Sequence, residues 1–381
     1  MMSHKSILPP ATIGILGGGQ LGRMIANEAR EIGYRIITLD PTPDSPCGQL
    51  ADEQILGAFD DLAAAQQLAQ KADVITYEFE NISPEIAKEL EQHSHLPQGY
   101  QLLYTTQNRV REKRAIEAAG VKVAPYAVIE SYTDLVQATN KLGYPCVLKT
   151  TEGGYDGKGQ LVLHSAEDLE LAKQLLKEAQ MTLILEAFVP YVKEISVIVA
   201  RNGRGDVQTF PVAENIHQEN ILHVSIAPAR ITLDYQDQAR QLALQLAQHV
   251  ELVGLLAIEM FVLENGEIYV NELAPRPHNS GHYTQQGCYT SQFEQHVRAV
   301  CNLPLGSTEL LHPTVMVNIL GEHVEPVREK MAHFDPAIKT HFYGKKEAKV
   351  KRKMGHLNVS KGSIADSLAV VNELGIWPPI E

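Results

Sequence analysis

Two glutamates in the second half of the chain have the type and spacing for divalent-cation chemistry. Glu259 and Glu272 lie in two apolar runs separated by Asn265-Gly266. An Asn-Gly pair between apolar runs predicts a hairpin with a two-residue turn, and that register places the two carboxylates opposite each other. Opposed like charges repel, so Mg²⁺ bridging to nucleotide phosphate oxygens is the simplest partner, with a protonated acid or two solvated acids as the alternative. The same register predicts that both share a face with Phe261, Leu263, Ile268 and Val270.

A glycine-rich segment is the next candidate, because it could hold a phosphate. Residues 146–163 read as a strand that ends in Lys149, a polar loop and a returning strand. Glycine N–H groups can turn toward an anion, and the lysine supplies a point charge. The segment is not a P-loop, since GxxxxGK[ST] before a helix is absent. An exposed glycine-rich hairpin loop without a ligand is the alternative. The loop glycines are Gly153, Gly154, Gly157 and Gly159.

Two further segments could bind anions. The loop 274–282 directly follows the second glutamate and carries Arg276 and His278, a composition that suits an anionic reactant. Residues 345–353 contain six Lys or Arg side chains. In an acidic chain this basic cluster could be a local phosphate pocket, and a solvated face or an import signal are the alternatives.

The N-terminal residues suggest a nucleotide-type turn. A strand at Thr12–Leu16 is followed by G-x-G-x-x-G at Gly17, Gly19 and Gly22, a helix, and a second strand that ends in Asp40. This is the pattern of a dinucleotide site, although such turns also bind plain phosphates or serve only as tight strand-to-helix connections. Nothing later in the chain resembles a hydride-transfer site, which weakens the dinucleotide interpretation.

Several other polar residues fit a nucleotide cleft. Glu78 ends a predicted strand, where ligands bind in open parallel sheets, although a solvated carboxylate is as good an interpretation. Glu186 and Glu194 flank an apolar stretch that suits a base and a ribose. His217 is a lone histidine, which is more often structural than catalytic.

The composition limits the classes of function. The chain has 381 residues, 44% of them hydrophobic and 21% charged, which is typical of a globular protein of two or three domains. A net charge of −13 argues against nucleic acid or an anionic membrane as the partner. The four cysteines form no CxxC pair, and no apolar run approaches a membrane span, so we expect reduced thiols and a cytoplasmic location.

These motifs, in this order, resemble the ATP-grasp superfamily. GGGQLGRM, YEFEN, GGYDGKG, NELAPRPHNSGH and RKMGHLN together are similar to the 5-(carboxyamino)imidazole ribonucleotide synthases of purine biosynthesis. The resemblance implies an α/β chain with a Rossmann-like N-terminal domain (1–107) that binds no dinucleotide, a central α+β ATP-grasp domain (108–305) and a small C-terminal β-rich domain (306–381). It also implies a homodimer and a ligase that uses ATP and bicarbonate to carboxylate 5-aminoimidazole ribonucleotide, through carboxyphosphate or CO₂ released from it.

The resemblance implies roles for individual residues toward ATP and the metal. The Mg²⁺ ligands, with Mn²⁺ possible, are Glu259 and Glu272, beside Asn271. The ATP phosphates are contacted by Arg109, Lys149 and a closing loop of Gly154, Tyr155, Asp156, Gly157, Lys158, Gly159 and Gln160. The adenine is met by Glu186, Ala187, Phe188 and Val189, the ribose by Glu194, and a further nucleotide contact is His217.

Substrate-binding residues are implied in the same way. The ribonucleotide is contacted by Gln20, Leu21, Glu78, Tyr155, Asn279, Ser280, Lys345, Arg352 and Lys353. Bicarbonate and the amine are oriented by Asp156, Lys158, Arg276 and His278, with Asp156 and His278 as the candidate proton acceptors. Where members of the family read RPGRK, residues 349–353 of this chain read KVKRK, so the resemblance does not decide whether Lys345 or Lys346 contacts the phosphate. The alternative activity is that of a related ATP-grasp ligase, which acts on formate and glycinamide ribonucleotide.

Overall fold

The N-terminal region is a parallel α/β layer, as predicted. The computed structural model describes residues 5–153, 159–179 and 182–381. Within the first hundred residues, four parallel strands take the order β3-β2-β1-β4, with helices packed against them. The elements are β1 (Thr12–Leu16), α1 (Gln20–Ile32), β2 (Arg35–Leu39), β3 (Glu53–Ile55), α2 (Leu62–Lys71), β4 (Val74–Tyr77), α3 (Pro84–His93) and α4 (Gln101–Thr106).

The middle of the chain begins with a helix and a small antiparallel sheet. The sheet takes the order β5-β8-β6-β7, so β6 and β7 form the hairpin predicted around the glycine-rich loop. Buried side chains such as Leu148 and Leu185 pack it against two helices. The elements are α5 (Arg109–Ala118), β5 (Tyr126–Ile129), α6 (Tyr132–Leu142), β6 (Cys146–Thr150), β7 (Gln160–Leu163), α7 (Leu169–Ala179) and β8 (Leu183–Ala187).

A large antiparallel sheet follows and forms the centre of the molecule. Its first strands pack on α8 through one core cluster, and the buried face includes Ile195, Val197 and Leu246. The elements are β9 (Tyr191–Arg201), β10 (Val207–Thr209), β11 (Ala213–Gln218), β12 (Ile221–Ala227), α8 (Leu233–His249), β13 (Gly254–Leu263), β14 (Ile268–Ala274), α9 (Thr284–Gly287) and α10 (Gln292–Val300).

The C-terminal strands extend this central sheet instead of forming a sheet of their own. β15 pairs with β12, and the full order is β14-β13-β9-β11-β12-β15-β17-β16, with β10 beside β9. The fold class predicted from the sequence is confirmed, and its β-rich last part is continuous with the middle. The elements are β15 (Thr314–Leu320), α11 (Val324–Lys330), β16 (Ile338–Phe342), β17 (Lys353–Val359) and α12 (Ile364–Glu373).

The N-terminal layer and the central sheet share buried contacts. Helix α10 packs into the same core cluster as α1, through residues such as Phe293 and Val297. Across the described ranges, none of the helices combines the length and the apolar character that a bilayer crossing requires.

Candidate active site

The hairpin between β13 and β14 turns differently from the prediction. The Leu263 N–H donates to the Glu267 carbonyl at 2.9 Å, and the Gly266 N–H donates to the Leu263 carbonyl at 2.9 Å. The loop therefore has three residues, with Gly266 in the left-handed region at φ +83°. The predicted two-residue turn is wrong, and the loop shifts the first pairs by one position, so that Phe261 faces Tyr269.

A β-bulge then restores the predicted pairing of the two glutamates. The register shifts between Glu259 and Met260, which leaves Asn271 as the extra residue of β14 and sets Glu259 opposite Glu272. The predicted carboxylate pair is confirmed, but its neighbours are partly wrong. Because the bulge reverses the alternation along β14, Ile268 and Val270 point to the opposite face and join the core cluster.

The electrostatics of the pair fit a hard divalent cation. Burial and the charge of Glu272 raise the pKa of Glu259 to about 7, although His217 opposes the shift. Arg109 Nη1 lies 3.6 Å from Glu272 Oε2. Two carboxylates leave coordination positions for phosphate oxygens and water, which is how Mg²⁺ usually binds beside a nucleotide. In the described part of the chain, no group of three or more His, Cys, Asp or Glu side chains could hold a metal.

A buried carboxylate holds the phosphate-binding lysine predicted on β6. Lys149 Nζ donates to Glu186 Oε2 at 2.9 Å, and Lys113 Nζ lies 3.4 Å from the other oxygen. Burial alone would raise the pKa of Glu186, but the two lysines outweigh it and lower the pKa. The Glu186 carboxylate is thus paired with two lysines, while the adenine contact predicted for residues 186–189 stays a prediction. Lys113, which is 1% exposed, was not found from the sequence.

The residues predicted to meet the adenine lie at the C-terminal end of β8. Phe188 is exposed and its N–H donates to the Pro145 carbonyl at 3.2 Å, while Val189 is buried. Ala187 N–H donates to the Pro125 carbonyl at 2.8 Å. Gly159 and Gln160 lie at the start of β7, opposite Thr150 and Lys149. The predicted loop contacts Gly154, Tyr155, Asp156, Gly157 and Lys158 lie outside the described residues.

Glu194 and His217 come together on neighbouring strands. Glu194 Oε2 lies 2.6 Å from His217 Nδ1. Burial alone would lower the pKa of His217, but Glu194 outweighs this and raises it, while the same contact lowers the pKa of Glu194 against the effect of burial. Beside them, Tyr191 stacks on Phe261 with ring centroids 4.6 Å apart. An acid and an aromatic pair at one place provide polar and apolar contacts of the kind found in nucleotide clefts.

The chain's own carboxylates occupy the glycine-rich turn before α1. Glu78 accepts hydrogen bonds from the Gly19 N–H and, at 2.6 Å, from the Gly22 N–H. Asp40 accepts one from the Gly18 N–H at 2.8 Å. A bound pyrophosphate would need these same donors at the helix N-terminus. A dinucleotide therefore has no free anion site at this turn.

A cavity of about 230 Å³ opens beside this turn. It collects one wall from the N-terminal layer and the other from the loop after β14 and the C-terminal strands. Five of the predicted ribonucleotide contacts line the cavity, and so do the two residues of loop 274–282 that were predicted to orient bicarbonate and the amine. The lining residues are Gln20, Leu21, Glu78, Phe79, Arg276, His278, Asn279, His282, Tyr343 and Lys353.

Arg276 and His278 are held in defined orientations. Both oxygens of Glu80 accept hydrogen bonds from the Arg276 guanidinium, one from Nε and the other from Nη2 at 2.6 Å. His278 Nδ1 accepts from the Ser280 N–H at 3.3 Å, and Nε2 lies 3.3 Å from Glu259. Burial, Arg276 and Lys353 lower the pKa of His278 well below its ordinary range. The imidazole is therefore neutral with its proton on Nε2. Glu80, 196 residues from Arg276, was not assigned a role from the sequence.

Ser280 is buried next to His278, which lines the cavity. It is 0% exposed, and its hydroxyl accepts from the Ser196 hydroxyl at 2.8 Å and lies 2.9 Å from His278 Nδ1. It was predicted as a ribonucleotide contact, but in this structure it orients His278 instead.

A second, basic cavity of about 400 Å³ includes Lys345 and Arg352. Lys345 Nζ donates to the Lys353 carbonyl at 2.7 Å. Burial and the nearby charges of Arg352 and Lys353 lower the pKa of Lys345 to about 8. Lys346 is exposed and lies 3.5 Å from Asp44. Both lysines line this cavity, but Lys345 is partly buried beside other cations whereas Lys346 is exposed.

Comparison with known proteins gives matches along most of the chain. Family models match residues 10–107 (ribonucleotide synthetase preATP-grasp domain), 114–293 (ATP-grasp domain) and 314–369 (phosphoribosylaminoimidazole carboxylase C-terminal domain). The N5-carboxyaminoimidazole ribonucleotide synthase of Bacillus subtilis is 52% identical over 364 residues, 94% of each chain.

Solved structures of similarly named proteins are also similar to this chain. An N5-carboxyaminoimidazole ribonucleotide synthetase in complex with ADP is 56% identical with a TM-score of 0.95, covering 98% of each chain. The N5-carboxyaminoimidazole synthase of Aspergillus clavatus, in complex with ADP and 5-aminoimidazole ribonucleotide, is 30% identical with a TM-score of 0.88, covering 96% of this chain and 97% of that one.

Proposed function

The chain belongs to the family of N5-carboxyaminoimidazole ribonucleotide synthases, which are ATP-grasp ligases, and from this we propose that it carboxylates 5-aminoimidazole ribonucleotide on its exocyclic amine. ATP and bicarbonate are the co-substrates, and ADP and phosphate are released with the N5-carboxyamino product. One observation carries the proposal. His278 lines the cavity that contains five predicted ribonucleotide contacts and also lies 3.3 Å from Glu259 of the carboxylate pair, so the acceptor and the activated carbon source would meet at this residue.

The nucleotide would lie between the small sheet and the hairpin. Glu259 and Glu272 would hold Mg²⁺, or Mn²⁺, which supplies charge neutralisation to the triphosphate. Lys149 and Arg109 would contact the phosphates, Glu194 would contact the ribose, and His217 would make a further contact with the nucleotide. A bicarbonate oxygen attacks the γ-phosphorus, the bond to the ADP oxygen breaks, and carboxyphosphate forms. Excluding water is essential because carboxyphosphate hydrolyses readily, and this is the role we assign to residues 154–160.

In the second step the amine nitrogen forms a bond to the carboxyl carbon, of carboxyphosphate or of CO₂ released from it, and phosphate leaves. Arg276, held by Glu80, would orient the carboxyl group. The amine must lose a proton. His278 Nδ1 already accepts from the Ser280 N–H, which leaves no free lone pair on the ring. We therefore assign the proton to Asp156 and a positioning role to His278.

Membership of the family supports a proposal for the assembly and the location. We propose a homodimer located in the cytoplasm, with the three domains divided at residues 107 and 305. The partners are small molecules only, in keeping with the net charge of −13.

The proposed function has a direct test in the release of ADP. We expect ADP release with Mg²⁺, ATP and bicarbonate to depend on 5-aminoimidazole ribonucleotide, and the carboxylated product to form in equal amount. Replacing bicarbonate by formate and the acceptor by glycinamide ribonucleotide tests the rival ligase. Turnover with the second pair and none with the first would overturn the proposal.

The charge of Lys345 predicts a pH dependence of ribonucleotide binding. Because its pKa is lowered to about 8, the ammonium is present at pH 7 and is lost as the pH rises through that value. A bound phosphate dianion needs the cation, so KM for the ribonucleotide should rise about tenfold between pH 7 and pH 9. KM for ATP should change less.

Substitution identifies the group responsible. In Lys345→Met, KM for the ribonucleotide should be high at all pH values and its rise between pH 7 and 9 should disappear. Lys346→Met tests the neighbouring lysine of the same cavity; because its side chain is exposed beside Asp44, this variant should keep the rise. A rise that persists unchanged in Lys345→Met would contradict the assignment.

A further inference from the structure

The outer edge of β14 carries an unusual hydrogen-bond pattern. β14 is the last strand of the central sheet, so every second N–H points away from β13. The Val270 N–H is one of these, and it donates to the Lys122 carbonyl at 2.8 Å. In a regular strand the next outward N–H would belong to Glu272.

The bulge at Asn271 changes which amide points outward. Because one extra residue is inserted, the next outward N–H belongs to Leu273, and it donates to Glu112 Oε1 at 2.7 Å. Glu112 is only 3% exposed and comes from helix α5. Its carboxyl group is therefore matched to the bulged strand and has no partner at this position in an unbulged one.

The bulge decides where the Glu272 carboxylate points. The three-residue loop alone would continue the register of Met260 with Val270 and pair Glu259 with Asn271. Glu272 would then lie one position further along, on the opposite face from Glu259. With the bulge, the two carboxylates face each other. The contact made by Glu112 stabilises the second arrangement.

Helix α5 connects this edge to the rest of the nucleotide site. Arg109, one turn before Glu112, lies 3.6 Å from Glu272, and Lys113 lies 3.4 Å from Glu186. We propose that Glu112 is a positioning residue, which holds the Leu273 amide and so keeps Glu272 opposite Glu259 for cation binding. This inference rests on the proposed function, since it assumes that the carboxylate pair binds the metal of a metal–nucleotide complex.

Three variants separate the hydrogen-bond acceptor from mere packing. Glu112→Gln keeps an amide oxygen at the same place, Glu112→Asp withdraws the acceptor by one methylene, and Glu112→Leu removes it. Glu117→Gln is the matched control, because Glu117 lies on the same helix, is exposed, and accepts from the Tyr126 hydroxyl, away from the hairpin.

Two measurements report on the position of Glu272 and do not require catalysis. The first is Mn²⁺ binding in the presence of ADP, followed by electron paramagnetic resonance. The second is hydrogen–deuterium exchange of the peptide that covers residues 268–274. We expect Glu112→Leu and Glu112→Asp to weaken Mn²⁺ binding about tenfold and to speed exchange, whereas Glu112→Gln and Glu117→Gln stay within about twofold of the parent protein.

The outcomes of these measurements support or overturn the proposed role of Glu112. Unchanged Mn²⁺ binding and exchange in Glu112→Asp would overturn the proposal, as would a loss in Glu112→Gln equal to that in Glu112→Asp. If Glu112→Leu does not fold, the contrast between Gln and Asp carries the test. Neither measurement uses bicarbonate or ribonucleotide, so a parent protein that binds Mn²⁺ and ADP but fails to carboxylate would contradict the proposed function and not this inference.

Discussion

Replacing Glu259 or Glu272 by glutamine is expected to lower the rate of ATP-dependent carboxylation by about 10³-fold. A neutral amide is a poor ligand for a hard cation, and electrostatic stabilisation of a transferring phosphoryl group is usually a large part of catalysis. The measurement is ADP release at saturating ATP and ribonucleotide, as a function of Mg²⁺ concentration. Raising Mg²⁺ should recover only part of the loss.

The stability of the same variants should move in the other direction or not at all. Since burial and Glu272 raise the pKa of Glu259 to about 7, its ionised form is disfavoured in the folded protein. The folded state then binds a proton more readily than the unfolded state, and stability is lost as the pH rises from about 4.5 to about 7. Glu259→Gln removes this cost, so Tm without metal should not fall at pH 7.

The hairpin also supplies the matched control for this experiment. Glu264 lies in the three-residue loop and is exposed, so Glu264→Gln should keep both rate and Mg²⁺ dependence. Variants of Glu259 and Glu272 that carboxylate at the parental rate would contradict the assignment of the pair. A loss of Tm that parallels the loss of rate would instead indicate damage to the fold.

The pairing of these glutamates was predictable, although the path to it was not. The Asn-Gly signal correctly indicates a hairpin and, through an assumed two-residue turn, sets Glu259 opposite Glu272. The chain reaches the same pair through a three-residue loop and a compensating bulge. The bulge depends on an acceptor from Glu112, which is 161 residues away from Leu273 in sequence. Local turn chemistry contains no information about such partners.

The glycine-rich turn shows the same limit in the N-terminal layer. The strand, turn, helix and strand were predicted correctly from residues that are local in sequence. Whether the turn binds a dinucleotide depends on Glu78, which lies 59 and 56 residues after Gly19 and Gly22 and accepts hydrogen bonds from both N–H groups. The buried Lys113 was missed for a similar reason. In the sequence it is one charge of an amphipathic helix, and only the packing of α5 brings it to Glu186.

Arg276 is the second position at which we expect a large effect. Arg276→Lys keeps the positive charge beside Glu80 but loses the planar guanidinium, which donates two hydrogen bonds to the Glu80 carboxylate and is held in one orientation by them. We expect the carboxylation rate to fall about 10²-fold, with KM for ATP little changed, because the carboxyl group would no longer be aligned. Steady-state rates at varied bicarbonate measure the loss.

Removing the charge altogether should damage stability as well as activity. In Arg276→Leu the Glu80 carboxylate is left without its partner, and we expect a loss of about 3 kcal/mol in the free energy of unfolding, near the low end for a broken buried pair since Glu80 keeps some exposure. Urea denaturation measures this loss. Adding Glu80→Leu should recover most of the stability, because no unpaired charge remains, and none of the activity. Recovery of both in the double variant would mean that Arg276 only neutralises Glu80, and absence of any stability change in Arg276→Leu would mean that the pair is solvated.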